Sequence, residues 1–227
     1  MKVYKSLLAA FTEETGKDAA VAAAEVAIKA LLGDAAKKGW SKERQDACRS
    51  VYAANQAPVY ETLAGSLRGV ELAETGDGIN RYHKVRLLLR TDRGDNIIVS
   101  LERDTELTQR LLCKLVNVEP GTPVVLGAST EPVTRNGRTF INHVPTLKVA
   151  GREVPAESGH FAAAAEKGKA ATEAMRTGLE AAGLGSNPDE MKKMLERARV
   201  GAKNTYFAEL AERVQAQFAT AAMACTA

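Results

Sequence analysis

Between positions 62 and 155 the chain carries turn signals at short intervals, and this pattern limits its fold more than any other feature. Gly76-Asp77-Gly78, Asp92-Arg93-Gly94-Asp95, Pro120-Gly121 and Asn136-Gly137 punctuate runs rich in Val, Ile, Thr and Arg. Glycine and Asn adopt the positive φ that tight turns need, and Asp bonds its own backbone there. Short β-rich runs at this spacing predict strands in an antiparallel barrel or sandwich.

The runs place strands at about 66–73, 81–91, 96–102, 123–129 and 139–149. Between the third and fourth, Leu107, Leu111, Leu112 and Leu115 recur at helical spacing, so 105–115 is predicted as a helix. Asn136-Gly137, set between Arg135 and Arg138, predicts a hairpin joining the last two strands.

The flanks have a different character. The first segment, 1–61, is rich in Ala, Glu and Lys; its run AAVAAAEVAIKALLG predicts a helix that stops at Gly33. Ser41 suits the cap of a second helix reaching about Asn55, and Pro58 ends that pattern. The last segment, 156–227, predicts a helix over 161–182 and another from Asn187 as cap, with Pro188 in the first helical position, to about Ala222. The chain thus reads as α+β in three segments: 1–61, 62–155 and 156–227. The Ala-rich stretches 19–32 and 162–182 permit close helix approach, either within the chain or between protomers of a homo-oligomer.

The order strand, strand, strand, helix, strand, strand resembles the OB-fold, in which a helix typically connects strands three and four. The resemblance implies a five-stranded OB-type β-barrel flanked by N-terminal and C-terminal α-helical segments. Within that fold, 62–155 looks most like the single-stranded-DNA-binding proteins of bacteriophages. OB-folds bind oligonucleotides across strands two and three, flanked by the loops joining strands one to two and four to five. Here those loops are 74–80 and 132–138. One departure concerns the acidic tail with which many replicative relatives recruit partners: residues 217–227 contain no carboxylate side chain.

Strand two carries the candidate site. Val85, Leu87 and Leu89 fall on one face, suited to a core, and Tyr82, Lys84, Arg86, Leu88 and Arg90 fall on the other. The second loop adds Arg135 and Arg138, with Phe140 just inside strand five. A single strand offers phosphates to cations and exposed base faces to aromatic rings. Lys84, Arg86, Arg90, Arg135 and Arg138 are therefore expected on phosphates, and Tyr82 and Phe140 on bases. Because Tyr82 and Phe140 are the only aromatics in 62–155, the cations would carry most of the binding and make it salt-sensitive. The same face also suits plain solvated surface: 62–155 holds 13 Lys+Arg against 11 Asp+Glu, so only segregation of the charges by face favours a groove.

Other chemistries find little support. Cys48, Cys113 and Cys225 form no CxxC pair and have no ligand spacing with His83, His143 and His160, so neither a disulfide framework nor a metal site is expected. Glu102 and Asp104 lack a partner histidine, Asp92 and Asp95 read as turn residues, and Trp40 reads as a packing anchor. No phosphate loop, nucleophile elbow or HExxH motif occurs, so neither an enzyme nor a cofactor is expected. The basic start is followed quickly by Glu13 and Glu14, so no signal peptide is expected, and no apolar run reaches membrane-spanning length. The net charge of +3 neither demands nor excludes nucleic acid. The expectation is a cytoplasmic protein that coats single-stranded DNA with little sequence preference in (phage) replication or recombination, with RNA as a variant ligand. The alternative is an OB-scaffold protein-binding module, or an inhibitor of a host factor, without nucleic-acid binding.

Overall fold

The computed structural model describes residues 2–7, 10–13, 19–32, 42–76, 81–135, 137–183 and 187–224. Strands β1 (Lys2–Leu7) and β2 (Ala10–Glu13) precede helices α1 (Ala19–Leu32) and α2 (Lys42–Ala54). Then come β3 (Thr62–Thr75), β4 (Tyr82–Arg90), β5 (Asn96–Glu102), helix α3 (Glu106–Leu115), β6 (Pro123–Arg135), β7 (Arg138–Val149) and the short β8 (Arg152–Glu153). Helices α4 (His160–Ala181) and α5 (Pro188–Ala224) follow. Expectations that rested on Gly33, Trp40, Ser41, the loop residues 77–80, Asn136 and Cys225 lie outside the described residues.

The described strands form one open, mixed sheet of eight in the order β2-β1-β5-β4-β3-β6-β7-β8. This overturns the expected fold of a closed five-stranded OB-type barrel flanked by helical segments. The physical reason lies at two edges. The free edge of β5 is taken by β1, which runs parallel to it with Lys2 opposite Ile97 and Lys5 opposite Ser100. At the end of β7, Lys148 and Val149 are paired with β8, with Lys148 opposite Glu153. A strand has two edges, and once both are hydrogen-bonded it has none left for closure. The segment 1–61, expected to be helical, therefore supplies two strands as well as α1 and α2.

Local chemistry accounts for the elements that position the site. At the β4–β5 turn, Gly94 takes φ +85 and its N–H donates to the Thr91 carbonyl at 2.9 Å, while the Asp95 N–H donates to Thr91 Oγ1 at 3.1 Å. Helix α3 begins at its cap Thr105, whose hydroxyl oxygen accepts from the Thr108 N–H at 3.4 Å. Asn187 caps α5, its side-chain oxygen accepting from the N–H groups of Asp189 at 3.1 Å and Glu190 at 3.3 Å. Strand β3 is bulged between Leu67 and Gly69, which bends it so that 62–66 pair with β6 and 66–75 with β4. Gly65 lies at this corner: a Cβ there would stand 2.7 Å from the Arg90 carbonyl oxygen, so only glycine lets β3 pass so close to the end of β4.

The core covers one face of the sheet. Leu67, Val85, Leu87, Leu89, Val99, Leu101, Leu126 and Leu147 project from the strands and pack with Leu111, Leu112 and Leu115 of α3. The second half of α5 closes the layer with Phe207, Leu210, Ala211, Val214 and Phe218, all buried. Each of these buried Phe, Leu and Val side chains contributes roughly 1.5–3 kcal/mol by leaving water. The first half of α5 instead runs along α4, where a Cβ on Gly168 would come within 3.2 Å of the Arg199 carbonyl oxygen. Helices α1 and α2 pack on each other through a separate small cluster centred on Ala24, Tyr52 and Ala57. Both Ala-rich stretches thus bury at least part of their surface within the chain.

Buried His160 fastens the start of α4 to α5. Its Nε2 lies 2.8 Å from Glu157 Oε2 and its Nδ1 2.8 Å from the Tyr206 hydroxyl. An ionised carboxylate only accepts, so Nε2 carries the proton in the neutral ring and Nδ1 accepts from Tyr206. The His160 hydrogen bond, with Arg213 nearby, holds the Glu157 carboxyl below the usual carboxylate range.

Candidate nucleic-acid interface

Strand β4 alternates as its sequence predicts. Val85, Leu87 and Leu89 are buried in the core, and the intervening residues face outward. Tyr82 is 52% exposed, Arg90 is exposed, and Lys84, Arg86 and Leu88 are half-buried. Antiparallel pairing sets their neighbours: on β5, Lys84 lies opposite Glu102, Arg86 opposite Ser100, Leu88 opposite Ile98 and Arg90 opposite Asn96. On β3, Arg86 lies opposite Glu71 and Arg90 opposite Ser66.

The four outward polar residues of β4 differ in how far they are already engaged. Lys84 Nζ sits 3.4 Å from Glu102 Oε1 and 5.7 Å from the centre of the Tyr82 ring. Its charge is partly answered on the spot. Arg86 and Arg90 make no ion pair among the described residues, although Glu71 stands across from Arg86. The Nε of Arg86 is sealed from solvent without a hydrogen-bond partner. Many cations elsewhere are matched with carboxylates: Arg110 with Glu106, Lys169 with Glu166, Arg176 with Glu173 and Arg199 with Glu196.

Two further arginines join this end of the sheet and were not singled out from the sequence. Arg68 is exposed at the β3 bulge and Arg93 is exposed in the β4–β5 turn; neither is ion-paired among the described residues. A bulge adds one residue to a strand, which alternation alone does not reveal. Arg93 was passed over because Asp92 and Asp95 flank it and the segment read as a turn. The turn borders an open cleft of about 920 Å³ lined by Lys2, Tyr4, Thr91, Arg93, Asn96 and Ile97, among others.

The hairpin residues are placed by backbone only. Arg135 pairs with Arg138 at the end of the β6–β7 arm, and Phe140 pairs with Val133. Their side chains lie outside what the structure describes.

No family model, curated protein or solved structure matches this chain.

His83 is half-buried and its Nδ1 lies 3.3 Å from Glu74 Oε1, while Glu74 Oε2 lies 3.6 Å from Arg81. His143 on β7 is held below its ordinary pKa by burial, with the charge of Arg49 acting in the same direction. The Cys113 thiol is buried in α3, donates to the Gln109 carbonyl at 3.2 Å, and is pushed up to about 11 by burial. Among the described residues no group of three or more His, Cys, Asp or Glu could hold a metal ion. None of their helices is long and apolar enough to cross a membrane.

Proposed function

We propose that this chain binds single-stranded nucleic acid, coating single-stranded DNA with little sequence preference in replication or recombination in a phage-infected cytoplasm. The observation that carries the reading is the outer face of β4, where Arg86 and Arg90 make no ion pair among the described residues and the Tyr82 ring, with Lys84 against it, is exposed. Unpaired arginines attract a polyanion without first breaking an internal ion pair, and an exposed ring offers a stacking surface that suits any base. Arg68 and Arg93 extend the cationic surface beyond the strand. Nothing in this arrangement presents paired donors and acceptors shaped for one base edge, which favours backbone recognition over sequence readout.

The test is fluorescence anisotropy with labelled single-stranded DNA, single-stranded RNA and duplex DNA of equal length, at low and moderate salt. A Lys84/Arg86/Arg90→Ala variant, checked for folding by circular dichroism, runs beside the wild type. The expected result is salt-sensitive preference for the single strand, largely lost in the variant. Removing about three phosphate contacts would flatten the log–log salt slope by about two units on a single strand. No binding by the wild type at low salt would refute the reading and direct attention to a protein partner.

A further inference from the structure

The open cleft of about 920 Å³ at the end of β4 falls within the roughly 300–1,000 Å³ of ordinary small-molecule sites. It arises because two neighbouring strands differ in reach. Strand β4 stops at Arg90, opposite Ser66, whereas β3 begins at Thr62 and pairs with β6 from there. Among the described strands, 62–65 therefore has no neighbour on the β4 side. The cleft lies between this stretch, the β4–β5 turn, and Lys2 and Tyr4 of β1. It adjoins the outer face of β4, since Asn96, which lines it, stands opposite Arg90.

The lining selects what can enter. Leu63 and Ile97 are apolar core residues that a flat ring can cover. Four exposed charged residues border the space, Lys2 and Arg93 against Asp92 and Asp95. Carboxylates only accept hydrogen bonds, and they repel a phosphate. Beside Asp92 and Asp95 a neutral ring with N–H donors is therefore favoured, whereas Arg93 and Lys2 attract phosphate. Arg93 makes no ion pair among the described residues, so none has to break when it meets an anion. A nucleotide unites these two needs in one ligand, a flat neutral base and a charged phosphate. Every base carries an N–H donor on its Watson–Crick edge, and that edge is open in a single strand but paired in a duplex.

We infer that this cleft receives one unpaired base of the bound strand, with Arg93 and Lys2 on its flanking phosphates, and that it is the part of the surface that distinguishes a single strand from a duplex. This rests on the single-strand reading above and deepens it. The cations of β4 attract any polyanion, duplex included, because phosphates are common to both. A base enters the cleft only after leaving its partner, so a duplex must break a pair to use it. Donors and acceptors both border the cleft, which suits any base and agrees with little sequence preference.

The experiment compares Ala64→Phe and Arg93→Gln with the wild type by anisotropy, using labelled single-stranded DNA and duplex DNA of equal length across a salt series. Urea unfolding controls for stability. Ala64 lines the cleft and is exposed, on the face of β3 opposite to buried Leu63, so the added ring fills the cleft without entering the core. In Ala64→Phe, affinity for the single strand is expected to fall about 10-fold, within the range for losing one bound base, while affinity for the duplex stays unchanged. Arg93→Gln is expected to lower the single-strand salt slope by about 0.7, the loss of one phosphate contact, and to narrow the same preference. If Ala64→Phe does not fold, the preference measured in Arg93→Gln decides. A wild type that prefers the single strand, with that preference intact in Ala64→Phe, would overturn the cleft and leave the single-strand reading standing. Equal binding of single strand and duplex by the wild type would overturn both. If the wild type binds no single strand, the earlier reading fails, and thermal shifts with deoxycytidine monophosphate against chloride at matched ionic strength judge the cleft. Stabilisation that Ala64→Phe loses would keep it as a site for a free nucleotide, and no stabilisation would sink it.

Discussion

Lys84 and Glu102 face each other across β4 and β5, with the ammonium 3.4 Å from the carboxylate. This pair restrains the cation that stands beside Tyr82, and it places a negative charge on the face proposed to meet phosphates. Glu102→Gln removes both effects. Since partly exposed pairs contribute about 0.2–1 kcal/mol, folding should change by less than about 1 kcal/mol. Affinity for single-stranded DNA should rise about 2–5-fold, a gain that shrinks with salt as the repulsion is screened. Titration by anisotropy at two salt concentrations checks this, and equal or weaker binding would place Lys84 off the ligand path.

Tyr82 projects from the first position of β4 with Lys84 against its ring. Stacked on a base, it should account for about 1–3 kcal/mol of affinity. Tyr82→Ala is then expected to weaken binding by that amount, whereas Tyr82→Phe, which keeps the ring and loses the hydroxyl, should bind nearly as the wild type does. Equal loss in both variants would point to the hydroxyl instead of the ring.

The second half of α5 is an integral wall of the core. Phe207 is fully buried, and its ring lies 5.0 Å from that of Phe161 on α4 and 5.5 Å from that of Tyr206. Phe207→Ala should cost about 3–5 kcal/mol, the range for deleting a buried aromatic. Urea denaturation followed by far-ultraviolet circular dichroism measures it. A cost under about 1 kcal/mol would mean that α5 contributes little to the sheet's stability.

Two groups predict how stability falls in acid. His143 has its folded pKa below the ordinary value of 6.5, so the unfolded chain binds more protons there. Its contribution is complete above pH 6.5 and is lost as pH falls through that value toward the lower folded pKa. Glu157 is depressed below 4.5, so its contribution is complete above pH 4.5 and is lost as pH falls through its folded pKa. Chemical denaturation at stepped pH should show two descending limbs. His143→Gln should flatten the upper limb and Glu157→Gln the lower, each without moving the other.

The strands around the candidate site were legible because each is a local event. Alternation in β4 put Val85, Leu87 and Leu89 inward and Tyr82, Lys84, Arg86 and Arg90 outward, and side-chain period alone decides that once one face is apolar. The α3 cap at Thr105 and the α5 cap at Asn187 are short-range as well: the donor and acceptor stand within three residues. The engagement of each cation was not legible. Whether Lys84 is tied to a carboxylate and Arg86 is not depends on which residue of β5 stands opposite, and register between strands is set by the whole sheet.

The amino-acid sequence by itself determined the types of β3 to β7 and of the helices, the inward and outward faces of β4, and the turn at Gly94, since these follow from backbone preference and from spacing along a few residues. Only the tertiary structure decided that Lys2–Leu7 would pair in parallel with Asn96–Glu102 and leave the sheet open. That pairing joins segments far apart in the chain, and its hydrogen bonds are made by backbone groups that every residue type shares. A local pattern holds no trace of them. The same long-range pairing set Lys5 opposite Ser100, on the edge of β5 away from Arg86.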